Sequence, residues 1–280
     1  MNLHRTFTLS LVTGAMMAVS TLSFAVTAPT TPTQPTTQQP MGSSFTSQQV
    51  QDMQKIIHDY LVNNPKVLLE ASQALQKQTE EDQQQYAMEA VQKNKQQLFQ
   101  DSASPVVGNP QGDVTLVEFF DYQCGHCKEM NQTIQDIVQK NKNLKIIFKE
   151  LPIFGNNSQF AAQASLASVT QGKYFAFHDA LLSADNPLTQ DKVFEVAKKV
   201  GLNVTKLKKD MNGQAIAQQL RDNFKLAQAL RLIGTPTFVI SNKAMTSFKF
   251  IPGATSQQNL QDLITQVMQP NNAPSSNTSQ

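Results

Sequence analysis

The stretch VTLVEFFDYQCGHC, residues 114–127, contains the only two cysteines of a 280-residue chain, three positions apart. Its first half, Val114 to Phe120, is rich in β-branched and aromatic side chains, which is typical of a buried strand. The polar residues 121–123 end that strand, and a helical pattern then continues to about Lys140. The sequence therefore predicts a strand followed by a helix, with Cys124 in the first turn of the helix.

The spacing of the two cysteines favours a reactive cysteine pair over a structural disulfide. A disulfide between Cys124 and Cys127 would close a very short loop, so it would stabilise the fold little. The reactive form of cysteine is the thiolate, and a helix N-terminus lowers the pKa of a thiol from about 8.5 to roughly 3.5–7.5. His126, between the cysteines, adds a donor or a positive charge. We expect Cys124 to attack as the thiolate and Cys127, one turn inward, to resolve the mixed disulfide.

Other uses of the cysteine pair remain as alternatives. A structural zinc site needs about four ligands, and the chain after residue 25 adds only His58, His126 and His178 to the cysteines. The pattern therefore predicts neither a structural metal site nor a cofactor. An inert disulfide is a second alternative. The reduced pair could also bind copper(I), which favours thiolates, so a copper-binding or structural surface protein is the competing class of function.

Glu118 is the only charged residue of the predicted strand, six positions before Cys124. If it is buried, its pKa is raised, and the carboxyl group can accept or relay the proton of Cys127 during exchange. In a structural role, the carboxylate would instead reach solvent or pair with Lys149 of the neighbouring strand. The sequence leaves both interpretations open.

The rest of the main domain alternates strands and helices. We expect a strand at 144–148, a helical insert over residues 157–232, strands at 237–240 and 247–251, and a final helix at 256–268. This order predicts an α/β protein with a thioredoxin fold over residues 104–268. In Gly234-Thr235-Pro236-Thr237, the proline belongs at a strand start because it cannot donate to a sheet.

Residues 46–101 form a separate helical region. Thr46 followed by Gln49 has the capping-box pattern, and Asn64-Pro65 separates two amphipathic helices. These helices either dock on the main domain or pair with the same helices of a second chain. The long polar stretch that follows them favours a spacer, and hence a homodimer formed through this region.

Both ends of the chain differ in composition from the middle. Residues 1–25 are typical of a secretory signal peptide cleaved near Ala25, with a retained membrane anchor as the alternative. Residues 26–45 and 269–280 are expected to be a disordered linker and tail. Without Arg5, the chain keeps 22 of its 23 basic residues against 21 acidic ones, which gives no support for nucleic-acid binding. We expect a location in the periplasm, free or surface-associated, where conditions are oxidising.

The motifs FFDYQCGHC and GTPTFVI, with a helical insert between them, resemble the DsbA-like branch of the thioredoxin superfamily over about residues 104–268. The segment IIHDYLVNNPKVLLEA resembles the helical element of dimeric relatives of the ScsC type. The resemblance implies Cys124 as nucleophile, Cys127 as resolving thiol and a cis bond at Pro236. It further implies that Thr235 hydrogen-bonds an extended substrate segment and that Glu118 is the buried acid of the family.

The resemblance implies a periplasmic thiol-disulfide oxidoreductase that acts on exported proteins with cysteines and is recharged by a membrane partner of DsbB or DsbD type. Two residues depart from the DsbA pattern. Gly125-His126 is the dipeptide of protein disulfide isomerase, where DsbA has Pro-His, and Thr235 stands where DsbA has Val. The dipeptide tunes the reduction potential, about −180 mV for the isomerase and about −120 mV for DsbA. We therefore expect an enzyme that forms disulfides and also isomerises them.

Overall fold

A computed structural model describes residues 45–268 and divides the chain into two units that meet at Asn64 and Pro65. The expected signal peptide, the linker up to residue 44 and the tail from residue 269 lie outside the described residues. Across residues 45–268, no helix is both long enough and apolar enough to cross a membrane.

The first unit contributes one described helix, α1 (Ser47–Asn63). The expected capping box is confirmed: the Thr46 hydroxyl accepts from the Gln49 amide at 3.3 Å, and the Gln49 side chain accepts from the Thr46 amide at 2.8 Å. No residue of α1 is buried, and Ile56, Ile57 and Tyr60 are more than half exposed. The amphipathic pattern therefore forms a helix whose apolar side chains face solvent.

The second unit contains a five-stranded sheet with helices on both faces. Its elements, in chain order, are α2 (Lys66–Phe99), β1 (Val106–Gly108), β2 (Val114–Phe120), α3 (Gly125–Lys140), β3 (Leu144–Glu150), α4 (Asn156–Ser168), a short 3-10 turn (Val169–Gln171), α5 (Tyr174–Ser183), α6 (Gln190–Lys199), α7 (Val204–Asp210), α8 (Gln214–Ala229), β4 (Thr237–Asn242), β5 (Phe248–Pro252) and α9 (Gln257–Met268). This order confirms the thioredoxin fold with a helical insert.

Strand β2 lies at the centre of the sheet, whose strand order is β1-β3-β2-β4-β5. It runs parallel to β3 and antiparallel to β4, and Glu118 lies opposite Phe148 on one side and Phe238 on the other. The strand is buried along its whole length. Because β2 is central, the loop that follows it is enclosed by the ends of two neighbouring strands.

The two faces of the sheet carry separate cores, because side chains alternate along β2. Leu116 and Phe120 pack with α3, α9 and the insert, in a core that also contains Cys127. Val117 and Phe119 pack on the opposite face against α2 and α8. Glu118 points to the same face as Leu116 and Phe120, so its carboxyl group lies on the side of α3.

Three features differ from the pattern expected from sequence. Strand β1 is only three residues long and pairs with β3 at the sheet edge, and α7 is a short polar helix inside the insert. Helix α2 is continuous from Lys66, and its last turns bury Val91, Leu98 and Phe99 in the second core. The polar stretch expected to be a spacer is thus the exposed middle of a helix that ends inside the domain.

Candidate active site

Cys124 is the N-cap residue of α3, with φ −73° and ψ 121°, as expected from the sequence. Its amide donates to the Asp121 carbonyl at 3.1 Å, and its carbonyl accepts from the Lys128 amide at 3.2 Å. These bonds fix the turn between β2 and α3 and direct the free amides of the first helical turn towards the sulfur. Cys124 keeps 6% of its surface exposed, whereas Cys127 has none.

The pKa of the Cys124 thiol is lowered from 9.0 to about 5. The largest cause is a hydrogen bond from the Cys127 side chain; Thr235 and the amides of Cys127 and His126 add to it, and partial burial opposes it. A neutral thiol donates to the Thr235 carbonyl at 3.1 Å. A carbonyl cannot donate to a thiolate, so the lowering by Thr235 is assigned to its side chain, although the hydroxyl group makes no hydrogen bond within the described chain. Cys124 is therefore a thiolate at neutral pH.

Cys127 has the opposite environment. It is fully buried in the first core, and its hydrogen bond to Cys124, together with burial, raises the pKa of its thiol. When Glu118 is ionised, its negative charge acts in the same direction. Both cysteines are free thiols in this structure. The pair therefore consists of one ionised, accessible sulfur and one protonated, enclosed sulfur.

The segment before β4 lies against Cys124. The Thr235–Pro236 peptide bond is cis, as the resemblance implies. The Pro236 carbonyl accepts from the Gly253 amide at 2.9 Å, which fastens the segment to the residue after β5. The structure thus brings Thr235 and Pro236 to the cysteine across 111 positions of sequence.

Glu118 is buried, and burial raises the pKa of its carboxyl group to about 8. Its Oε2 atom has no hydrogen-bond partner among residues 45–268. The alternative partner, Lys149, lies on the other face of the sheet and donates to Asp101 at 2.6 Å. Pairing with Lys149 is excluded, because strand alternation puts the two side chains on opposite faces of the sheet, and Glu118 is only 1% exposed. Glu118 therefore influences Cys127 electrostatically and forms no salt bridge within the described residues.

His126 has a smaller effect on the sulfur than its position suggests. Its ring is exposed and lies 2.9 Å from Glu129, one helical turn further along α3. The hydrogen bond with Glu129 is the largest cause of its raised pKa, and the charge on Cys124 is a minor one. The backbone amide of His126 is among the groups that lower the pKa of Cys124.

The loop before Cys124 is held by contacts that the sequence patterns did not indicate. Asp121 is buried and accepts from the amides of Ile153 and Phe154 and from the Ser158 hydroxyl, at 2.7 to 3.1 Å. Gln123 accepts from the Leu188 amide at 3.0 Å through its side chain. The loop after β3 and the loop before α6 are therefore both fastened to the turn that carries the nucleophile.

A buried polar cluster lies behind the same turn. The Tyr122 hydroxyl lies 3.0 Å from the Glu150 carboxyl, 2.6 Å from the Ser165 hydroxyl and 3.1 Å from Nδ1 of His178. Tyr174 donates to the same Glu150 oxygen at 3.0 Å. Burial lowers the pKa of His178 to about 3, so its ring is neutral. The only sequence signal for this cluster is polar residues in apolar surroundings, and partners so distant along the chain cannot be inferred from that signal.

Within the described residues, no three His, Cys, Asp or Glu side chains come together as a metal site would require. The arrangement does supply the parts of thiol exchange: a thiolate, a second thiol that holds a proton, a buried acid, and a cis-proline segment beside the thiolate. A thiolate of this kind can attack a disulfide, and its sulfur is a good leaving group because its pKa is low.

Comparison with known families gives two matches. Residues 115–265 match the family model described as the DSBA-like thioredoxin domain, and residues 49–81 match that of the copper resistance protein ScsC N-terminal domain. The two matches coincide with the main domain and with the helices on either side of Pro65.

Solved structures with this fold include a thioredoxin-like oxidoreductase from Silicibacter pomeroyi DSS-3, which is 38% identical, covers 62% of this chain and 98% of that one, and has a TM-score of 0.59. BcfH of Salmonella enterica Typhimurium is 30% identical, covers 78% of this chain and 95% of that one, and has a TM-score of 0.68. The second structure includes more of the N-terminal region.

Curated relatives include the disulfide bond formation protein D of Bacillus subtilis, which is 28% identical over 51% of this chain and 70% of that protein. The chain also matches a Na(+)/H(+) antiporter, NhaA 3, of Salinispora tropica at 23% identity over 49% of this chain. It spans only 22% of the length of that antiporter, so the likeness is confined to one domain.

Proposed function

The chain belongs to the DsbA-like thioredoxin family, and on this premise we propose that it forms and isomerises disulfide bonds in exported proteins. The observation that carries the proposal is the Cys124 thiolate at the start of α3, opposite Thr235 and beside a fully buried Cys127. The sequence departures at Gly125 and Thr235 support the isomerase half of the proposal.

In the oxidising direction, the protein starts with a Cys124–Cys127 disulfide. A client thiolate attacks the accessible sulfur of Cys124, the intramolecular bond breaks, and Cys127 leaves and takes up a proton. Glu118 is the proposed proton source, because its carboxyl group is protonated over much of the neutral range and lies on the same face of the sheet. A second client thiolate then attacks the client sulfur of the mixed disulfide and releases Cys124 as a thiolate.

In the isomerising direction, the reduced protein is the reactant. The Cys124 thiolate attacks a mispaired client disulfide, and the released client thiolate attacks another client sulfur, so the mixed disulfide resolves without net oxidation. If the client does not rearrange, Cys127 attacks the Cys124 sulfur of the mixed disulfide and releases the client. The low pKa of Cys124 stabilises the reduced form of the protein, which favours the oxidised protein as an electron acceptor.

The proposed role of Thr235 and Pro236 is to hold the client backbone. The segment before β4 ends beside Cys124, and an extended client strand can add to it through main-chain hydrogen bonds. The proposed location is the periplasm, with export through the segment 1–25. Recharging of the reduced pair is assigned to a membrane partner of DsbB or DsbD type.

The proposed assembly is a homodimer formed through the helices of residues 46–75. The support is chemical: Ile56, Ile57 and Tyr60 of α1, and Leu68 and Leu69 of α2, are all more than half exposed. Apolar side chains at this density mark an interaction surface. Two tethered active sites would raise the effective concentration of catalyst around one bound client.

Refolding assays test the proposal. The oxidised protein should convert reduced ribonuclease A to the disulfide form, and the reduced protein should restore activity to scrambled ribonuclease A. Thiol trapping in growing cells should find Cys124 and Cys127 in both states. Oxidation without recovery of scrambled ribonuclease would remove the isomerase half, and failure of both assays would reject the function.

Copper(I) binding is a second candidate. The observation that favours it is the match of residues 49–81 to a domain named for copper resistance, together with two free thiols at the start of α3. If stoichiometric copper(I) binds and is lost in Cys124→Ser, while neither ribonuclease assay responds to the wild-type protein, this function replaces the first.

A further inference from the structure

A cavity of about 610 Å³ lies between the middle of α2, the segment that follows α8, and strand β5. Its volume is in the range of ligand-binding clefts, about 300–1,000 Å³. It is formed in part by α2, which the match to the thioredoxin domain does not include. The cavity is therefore a feature of this chain's N-terminal extension, built onto the catalytic domain.

The walls of the cavity are fixed in place. The Arg231 guanidinium lies over the Tyr86 ring, with its central carbon 3.6 Å from the ring centroid. The Tyr86 hydroxyl donates to the Ala229 carbonyl at 3.4 Å, and Ala87 on the same helix is buried. These contacts fasten α2 to the segment after α8, so the cavity is preformed.

The cavity opens beside the proposed client-binding segment. Ile233 and Thr237, both of which line it, lie two residues before and two residues after Thr235 along the chain. Ile233 is 87% exposed, although it is an aliphatic side chain at the mouth of a cavity. A client strand that contacts Thr235 and continues in this direction reaches the cavity within a few residues, because an extended chain advances about 3.3 Å per residue.

The lining combines apolar walls with an acidic rim. Leu230, Phe250 and Pro252 supply apolar surface, and Glu80 and Asp82 lie at the edge formed by α2. Among the ion pairs of residues 45–268, neither acid has a basic partner, whereas the neighbouring Glu81 pairs with Lys77 at 3.8 Å. Among the described residues that line the cavity, Arg231 is the one cation, and its guanidinium lies over the Tyr86 ring. Glu80 and Asp82 therefore leave the rim with an excess of negative charge, which attracts positive charge.

We propose that this cavity binds a segment of the client polypeptide that carries an apolar side chain next to a lysine or arginine, a few residues from the client's cysteine. The proposal rests on the proposed function and adds a sequence preference to it. Ile233 and the apolar walls receive the apolar side chain, and Glu80 and Asp82 receive the basic one.

The test uses the full-length oxidised protein and synthetic dithiol peptides of equal length. The peptides carry Leu-Lys, Leu-Glu or Ser-Lys two, four or six residues from a cysteine, on either side. The second-order rate of peptide oxidation is measured at low and at physiological ionic strength. Dithiothreitol, which is too small to reach the cavity, gives the rate of the chemistry itself.

We expect the Leu-Lys peptide to react about three- to tenfold faster than the Leu-Glu peptide at low salt, at one or two of the spacings. The advantage should shrink at higher salt because the rim charges are exposed. The Glu80→Lys/Asp82→Lys variant should lose or reverse the advantage. Its matched control, Glu89→Lys/Asp222→Lys, changes charge equally on exposed helix positions outside the cavity and should keep it.

Ile233→Ser should remove the advantage of Leu-Lys over Ser-Lys without changing the dithiothreitol rate. Equal rates for all three peptides, or an advantage that survives Glu80→Lys/Asp82→Lys, would overturn the cavity proposal and leave the oxidoreductase function standing. If neither the peptides nor dithiothreitol are oxidised, the function itself fails and this proposal with it. A change in sedimentation of Glu80→Lys/Asp82→Lys with unchanged peptide rates would assign the cavity to a second copy of the chain instead.

Discussion

Two regions of the molecule depart from the usual distribution of side chains: one exposes apolar residues, and the other buries a carboxyl group. The helices on either side of Pro65 expose Ile56, Ile57 and Leu69, whereas the active site buries the carboxyl group of Glu118 without a partner in the described chain. Both arrangements are unfavourable for an isolated domain, since apolar surface is best buried and polar groups are best paired. Local rules of this kind are broken where function requires it.

The two departures differ in what completes them. The exposed apolar side chains of the helices lack a packing partner, and the proposed partner is another protein chain. The buried carboxyl group lacks a hydrogen-bond partner, and the proposed reason is chemical: its proton moves during the reaction. Each can be disrupted alone, which makes the difference between them measurable.

The largest effect is expected from the cysteines. Cys124→Ser should abolish exchange, because Cys127, the only other cysteine of the sequence, is fully buried, whereas Cys127→Ala should accumulate mixed disulfides with clients that it cannot resolve. Non-reducing electrophoresis of client mixtures measures both. Circular dichroism checks that each variant is folded. Equal trapping by the two variants would reverse the roles proposed for them.

Deleting Thr46 to Gln78 should convert the assembled protein to a monomer and leave oxidation of small dithiols intact, because the deletion ends before the buried part of α2. Ile56→Glu/Ile57→Glu should dissociate the full chain as well. Gln51→Glu/Gln54→Glu, which adds the same charge to exposed polar positions of α1, is the matched control. Sedimentation velocity at micromolar concentration reads the outcome. A dimer that survives the deletion would place the interface elsewhere.

Glu118→Gln should slow the resolving step by roughly 10- to 100-fold, because a positioned acid contributes about that much or more to a proton transfer. Single-turnover rates of mixed-disulfide release measure this step. The thiolate absorbance of Cys124 should still titrate near pH 5 in the variant, since Glu118 is not among the groups that lower the pKa of that thiol. An unchanged release rate would reduce Glu118 to a structural residue.

The same variant should change how stability depends on pH. The folded protein keeps the Glu118 proton up to about pH 8, whereas the unfolded chain releases it near 4.5, so the folded state holds the extra proton between these values. The contribution of Glu118 to the free energy of unfolding therefore falls as pH rises from about 4.5 to 8. Across that window, the free energy of unfolding of Glu118→Gln should rise relative to that of the wild type by a few kcal/mol. Above the window, the difference should stay constant. Denaturant melts at pH 4, 6 and 8 would measure this.

Tyr122→Phe should give the smallest effect, a loss of about 1–3 kcal/mol in stability, because it leaves the Glu150 carboxyl, the Ser165 hydroxyl and the His178 ring with one fewer partner in a buried site. Urea denaturation measures the loss. Tyr60→Phe, on exposed α1, is the control and should be neutral. A neutral Tyr122→Phe would show that water or rearrangement satisfies the cluster.

Local patterns were sufficient for the centre of the fold. Val114 to Phe120 predicted β2 because a long β-branched and aromatic run has few other uses, and the helix start at Cys124 followed from the polar residues before it. The short β1 was missed because three residues carry too little periodicity, and its formation depends on pairing with β3. Helix α7 was missed because it is short, polar and enclosed by longer helices.

The candidate site was predictable only in part, for a reason that follows from chain connectivity. The cysteines, Glu118 and Pro236 stand out locally by residue type and neighbours. The partner of Lys149 could not be predicted in this way. Lys149 pairs with Asp101 and not with Glu118 because of the face of the sheet that each side chain occupies. Asp121 and Gln123 gave no signal at all, since the backbone amides they accept from belong to distant loops.

The contact between Cys124 and Thr235 also has a temporal aspect, since it joins positions 111 residues apart. A ribosome extends a chain from its N-terminus at about 5–20 residues per second, so the sulfur emerges roughly 6 to 22 s before the segment that it will touch. During that interval, Cys124 of the nascent chain lacks its contact with Thr235, which follows the insert in the sequence. The contribution of Thr235 to the low pKa of Cys124 is therefore absent from the nascent chain and is added only after the insert has been made.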